Sequence, residues 1–118
     1  MVTLVYSAGN DSDEERLLNA AGHIPLEVCR SVQQLVYFLN IPSRTRKIVI
    51  LIIRNQDEMA KVSTAIELFF DLLLIIILDR EYFETANDAH KLRPRFLTYK
   101  DGDFQDVRTV LSRMIHQV

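Results

Sequence analysis

Two runs in this chain, Ile48–Ile53 (IVILII) and residues 72–78 (LLLIIIL), are apolar at every position. Successive side chains of a strand point to opposite faces, so a strand with one face in water alternates apolar and polar residues. A strand-length run without alternation must be covered on both faces. That situation belongs to a parallel sheet sandwiched between helices. The longer run, at seven residues, falls far short of the about 20 that a membrane-spanning helix requires.

The rest of the chain supplies the other layers. Residues 2–6, 24–29 and 95–99 also have the length and apolar content of strands. Between the strands lie amphipathic stretches. Residues 13–21 carry Leu17, Leu18 and Ala21, and Asp11 to Glu15 place negative charge where the helix dipole favours it. Residues 31–40 set Val32, Leu35, Val36 and Leu39 on one face; Ser31 and Gln34 form a capping box, and Pro42 ends the helix. Residues 56–70 space Met59, Val62, Ile66 and Phe69 helically, and residues 104–116 do so with Val107, Val110, Leu111 and Met114 behind an Asp103 N-cap. Residues 81–92 give a looser pattern of Tyr82, Ala86, Ala89 and His90.

Strand and helix thus alternate five times within 118 residues. Helical crossovers between strands produce parallel pairing with right-handed connections. The most economical result is one α/β domain over residues 1–118, a three-layer doubly wound (βα)5 sandwich. Its parallel five-stranded sheet is expected in the flavodoxin-like order 2-1-3-4-5.

Composition narrows the partners. A net charge of −2 and a pI near 5.9 argue against nucleic acid or an anionic membrane surface, which favour clustered positive charge. Arg44, Arg46 and Lys47 sit close together, and read as a solvated loop. The single cysteine, Cys29, cannot pair within the chain and fits a reducing compartment. The N-terminal stretch has no basic region ahead of it, as a signal peptide would. A cytoplasmic location is expected.

Ligands of such sheets gather at the carboxyl ends of the strands, near the switch point beside strands one and three. The loops to consider are residues 7–12, 54–57, 79–82 and 100–103. The first, SAGNDS, has the small residues of a phosphate-binding turn, which opens a small-ligand or nucleotide-binding role. Asp11, Asp13, Glu14 and Glu15 crowd the same helix start and would repel a phosphate, as in a plain tight turn into an acid-capped helix. Asp11, Asp13 and Asp79 are weak candidates for a Mg²⁺ site, since that ion takes carboxylate oxygens and waters; no metal or cofactor is expected from them. Cys29, inside IPLEVC, reads as a packed thiol. His23, His90 and His116 have no neighbours spaced for a triad, and Glu58 and Glu67 do not pair on one face. No enzyme is expected.

The stretch LIIRNQDEMAK, Leu51 to Lys61, resembles the end of strand three in bacterial response-regulator receivers. That family runs roughly apolar-Leu-Asp-Ile-Arg-Met-Pro-Asp. Leu51 matches the leucine, Ile53 and Arg54 the isoleucine and arginine, and Asp57 the later acid. Ile52 falls where the family keeps its phospho-accepting aspartate. Tyr6, Ser7 and Ala8 stand where receivers hold an acidic pair for Mg²⁺, and Leu78 and Asp79 where they hold a threonine or serine. Phe96, Leu97 and Thr98 resemble the approach to the receiver lysine; Tyr99 takes its place and Lys100 follows one residue late, pointing the other way if the strand continues. The resemblance implies a degenerate receiver-like module without phosphorylation, working through protein–protein interaction in a two-component-like pathway.

In receivers the interaction surface is often built by the fourth helix, fifth strand and fifth helix. The corresponding residues here are Tyr82, His90, Arg93, Tyr99, Lys100 and Arg108, together with Phe83. Tyrosine and arginine are enriched at interfaces. Arg93, Arg95, Arg108 and Arg113 opposite Asp101, Asp103 and Asp106 would also permit a reciprocal homodimer.

Overall fold

The computed structural model describes residues 3–9, 12–42, 47–79, 88–102 and 104–117. Five strands form one parallel sheet: β1 (Thr3–Tyr6), β2 (Leu26–Cys29), β3 (Ile48–Ile53), β4 (Leu73–Leu78) and β5 (Phe96–Tyr99), in the order β2-β1-β3-β4-β5. The helices are α1 (Ser12–Ala21), α2 (Val32–Leu39), α3 (Gln56–Ser63) and α4 (Gln105–Gln117), with a 3₁₀ turn at Ile66–Phe69. Residues 88–91 are also helical; the rest of the stretch expected as a fourth helix, with Tyr82 and Phe83, lies outside the described residues, as do Asp11, Arg44, Arg46 and Asp103. No helix among the described residues is long and apolar enough to cross a membrane.

The two uninterrupted apolar runs are the central strands. All six residues of β3 and all six of β4 are buried, and the two strands pair residue for residue from Ile48–Leu73 to Ile53–Leu78. The strand period of two divides them between two cores. Ile48, Ile50, Ile52, Leu73, Ile75 and Ile77 pack with Leu17 of α1 and with Val107, Leu111 and Met114 of α4. Val49, Leu51, Ile53, Leu74, Ile76 and Leu78 pack with Leu35 of α2 and with Met59 and Val62 of α3. Each such aliphatic side chain contributes about 1.5–3 kcal/mol by leaving water.

Local chemistry sets the element ends. Ser31 caps α2, its Oγ accepting from the Gln34 amide at 3.1 Å, while Gln34 Oε1 reaches back to the Arg30 amide at 2.8 Å. Lys47 departs from the expected solvated loop: its ammonium donates to the carbonyls of Phe38 (3.2 Å), Leu39 (2.6 Å) and Ile41. The reason is that the last carbonyls of a helix lack intrahelical partners and attract a nearby cation. The expected helix 56–70 is two pieces. Thr64 N–H and its hydroxyl both turn back to the Lys61 carbonyl, at 3.3 and 2.6 Å, which tightens the chain into the 3₁₀ turn. Pro94 precedes β5, and α4 starts after Phe104, whose φ of 63° breaks the helical path.

Cys29 is fully buried at the end of β2, and burial together with the Glu27 carboxylate pushes its thiol up to about 11. A thiol that resists ionising in the folded state stabilises the fold fully at neutral pH. That contribution is lost as pH rises through the window between its ordinary value of 9.0 and about 11, because the unfolded chain releases its proton first. The expected outcome is that iodoacetamide leaves Cys29 unmodified in native protein at pH 8 and alkylates it rapidly in urea; equal rates would place the thiol at the surface.

Candidate functional site

The carboxyl edge of the sheet is held together by cations from three elements. Loop 7–9 leaves β1 with Ser7 buried, and Ser7 Oγ donates to the Gly9 carbonyl at 2.8 Å. Arg54, the first polar residue after β3, donates to Ser7 Oγ at 2.9 Å and to Gly9 O at 3.1 Å, and lies 3.8 Å from Glu58. Arg30, just past β2, donates to Gly9 O at 3.2 Å and to Glu14 at 2.9 Å. Glu14 is nearly buried on α1, with 2% of its side chain exposed, so its carboxylate needs that guanidinium. Residues 7–9 of the expected phosphate turn thus direct the Gly9 carbonyl at two arginines.

The fifth strand ends at Tyr99, and Lys100 enters a turn. Because the strand does not continue, Lys100 does not point away from the edge. Its ammonium lies 3.0 Å from Asp79 and 3.8 Å from Asp13. Two of the three Mg²⁺ candidates thus converge on a lysine side chain, while Asp11 lies outside the described residues. Among the described residues no group of three or more His, Cys, Asp and Glu side chains is arranged to hold a metal ion. Arg16 of α1 closes the same corner. It donates to the carbonyls of Lys100 (2.7 Å) and Gly102, pairs with Asp13 at 3.3 Å and stacks 4.5 Å from the Phe104 ring centroid.

Ile52 has 1% of its surface exposed and faces the α1/α4 core. Arg54 and not a carboxylate is the first polar side chain beyond β3. On the other face, Tyr6 ends β1 with 2% exposure; burial, then the Glu58 carboxylate, raise its hydroxyl above the ordinary value, partly offset by Arg54.

Of the residues expected on an interaction face, His90, Arg93 and Arg108 are exposed and Tyr99 and Lys100 are half-buried. Arg93, in the left-handed region at φ 57°, sits 5.4 Å over the exposed Phe70 ring. Asp88 ties this end to α3: the Gln56 amide donates to it at 2.8 Å and Lys91 pairs with it at 3.5 Å, which together hold its carboxyl below the ordinary value.

A groove of about 670 Å³ opens over the end of β1 between α2 and α3, lined among others by Tyr6, Arg30, Val32, Val36, Glu58 and Lys61. Sequence reasoning did not find it. Its walls come from strand ends and helix starts that are far apart in the chain, and only the doubly wound order brings them together.

Comparison with known proteins returned nothing: no family model, no curated protein and no solved structure matches this chain.

Proposed function

We propose that this chain is a receiver-like signalling module that takes no phosphoryl group and acts by binding a protein partner. The observation that carries this reading is the combination at the carboxyl edge of β3. Ile52 is packed into the core, and the cations of the edge, Arg54 and Lys100, are engaged by loop 7–9 and by Asp13 and Asp79. An isoleucine offers no oxygen for an acyl phosphate. An edge already closed by charge-assisted bonds has little to gain from an incoming anion.

The partner surface in this reading is the end formed by residues 88–91, β5 and α4. β5 is an edge strand whose four residues are all partly exposed, and such an edge offers unpaired backbone groups to another chain. Arg93 and Arg108 are the exposed anchors. Arg93, Arg95, Arg108 and Arg113, with Asp101 and Asp106, are all exposed, which permits reciprocal pairing with a second copy. The test is charge reversal: Arg93→Glu with Arg108→Glu, followed by sedimentation velocity and partner capture. Self-association or partner retention is expected to be lost in the double variant while acetyl phosphate changes neither. Association indifferent to both reversals would contradict the face, and labelling by acetyl phosphate would contradict the reading as a whole.

A further inference from the structure

We propose that the groove between α2 and α3 binds a nucleoside phosphate, with the phosphate at the N-terminus of α2. This site is separate from the loop after β1 and from the β5/α4 face.

Three independent observations meet in the groove. The first is the start of α2. Ser31 accepts the Gln34 amide on its side chain and the Leu35 amide on its carbonyl, which leaves the Val32 and Gln33 amides without a partner among the described residues. Both residues line the groove. Unpaired amides at the positive end of a helix form an anion site. α1 and α3 carry acids in their first turns and α2 carries none, so nothing on the helix itself repels an anion there.

The second is Tyr6. The residue is 2% exposed, it forms part of the groove wall, and its hydroxyl has no hydrogen-bond partner among the described residues. The phenol oxygen touches solvent in the groove, where a ligand oxygen would accept from it. The raised hydroxyl stays protonated and is a donor at neutral pH.

The third is the polarity of the rest of the wall. Lys61 is exposed at the rim and has no ion pair among the described residues. Glu58, held by Asn55 and Arg54 at 3.3 Å each, offers fixed acceptors to ligand hydroxyls and discourages an anion on its own side. Val32 and Val36 supply apolar surface. One molecule with an anionic end, hydroxyls and a flat body meets all three demands, and about 670 Å³ lies within the about 300–1,000 Å³ of small-ligand sites. The switch between β1 and β3, where this groove opens, is also where such sheets leave a crevice.

The experiment is an amide NMR titration of the full chain with AMP, with adenosine and inorganic phosphate in parallel. Saturable shifts are expected at Val32 and Gln33 and at the end of β1, with adenosine and phosphate each much weaker. Tyr6→Phe keeps the ring and the fold and removes only the donor, and is expected to weaken AMP about tenfold, as loss of a hydrogen bond to a charged group does. Lys61→Gln is expected to weaken it about threefold through the lost rim charge. Absence of saturable shifts at millimolar AMP would overturn the proposal. So would equal affinity for adenosine, which would remove the anion site, or for phosphate alone, which would remove the apolar wall. Unchanged affinity in Tyr6→Phe would do the same.

Discussion

Replacing Ile52 with Asp is expected to destabilise the protein by about 4 kcal/mol or more, the sum of lost aliphatic packing and a desolvated carboxyl. Ile52 is the penultimate residue of β3, 1% exposed, opposite Ile77 on β4 and against the α1/α4 core. The side chains packed with it in that core are aliphatic and aromatic. Burial would hold the introduced carboxyl protonated to unusually high pH. The penalty therefore shrinks as pH falls and grows as it rises through neutrality. Thermal unfolding should show a fall in Tm of about 15 °C or more, and Ile52→Val as the packing control should cost only about 1 kcal/mol. Neither variant should be labelled by acetyl phosphate. A melting point near that of the natural sequence would mean that position 52 reaches water, and labelling of the aspartate variant would mean that a working phosphorylation pocket surrounds it.

The second large effect is expected at Arg30. Its guanidinium neutralises Glu14, 2% exposed, at 2.8 Å, and also holds the Gly9 carbonyl. Removing one member of a buried pair costs more than the pair itself contributes, because the remaining charge stays desolvated. Arg30 is 46% exposed, so solvent screens part of the loss and the expected cost of Arg30→Ala is about 2 kcal/mol rather than the larger figure of a fully buried pair. Adding Glu14→Gln should recover about half of it, since the orphaned charge is then gone. Urea unfolding of the two single variants and the double variant measures the coupling. Additive costs would show that Arg30 acts through the loop carbonyls and not through Glu14.

How far the chain could be read before the fold was known differs between its layers. The two apolar runs at 48–53 and 72–78 carry the sheet without ambiguity, because only burial on both faces tolerates such sequences. Ser31 with Gln34 marked the start of α2 for the same local reason that the structure shows. The break after Ser63 was not legible, since the apolar spacing of Met59, Val62, Ile66 and Phe69 runs straight through it and only the Thr64 side chain diverts the backbone. The edge was half legible. Asp13 and Asp79, two of the weak Mg²⁺ candidates, both lie by Lys100, whose direction depends on where β5 stops. Lys47 and Arg30 were not legible as structural cations. A basic residue that follows a loop or a strand has the same sequence signature whether it points to water or to orphan carbonyls and a buried acid. The groove was invisible for the reason that all sites at crossover points are: its residues share no local pattern.

In the proposed reading the carboxyl edge of the sheet is closed by its own charges and has no phosphorylation switch. The most direct test is an amide NMR titration of the full chain with Mg²⁺ and beryllofluoride, the mimic of an acyl phosphate. No saturable change is expected at Ser7, Arg54, Asp79 or Lys100. Saturable shifts clustered at those four residues would contradict it, and would show that the edge opens to an ion and an anion in spite of Ile52.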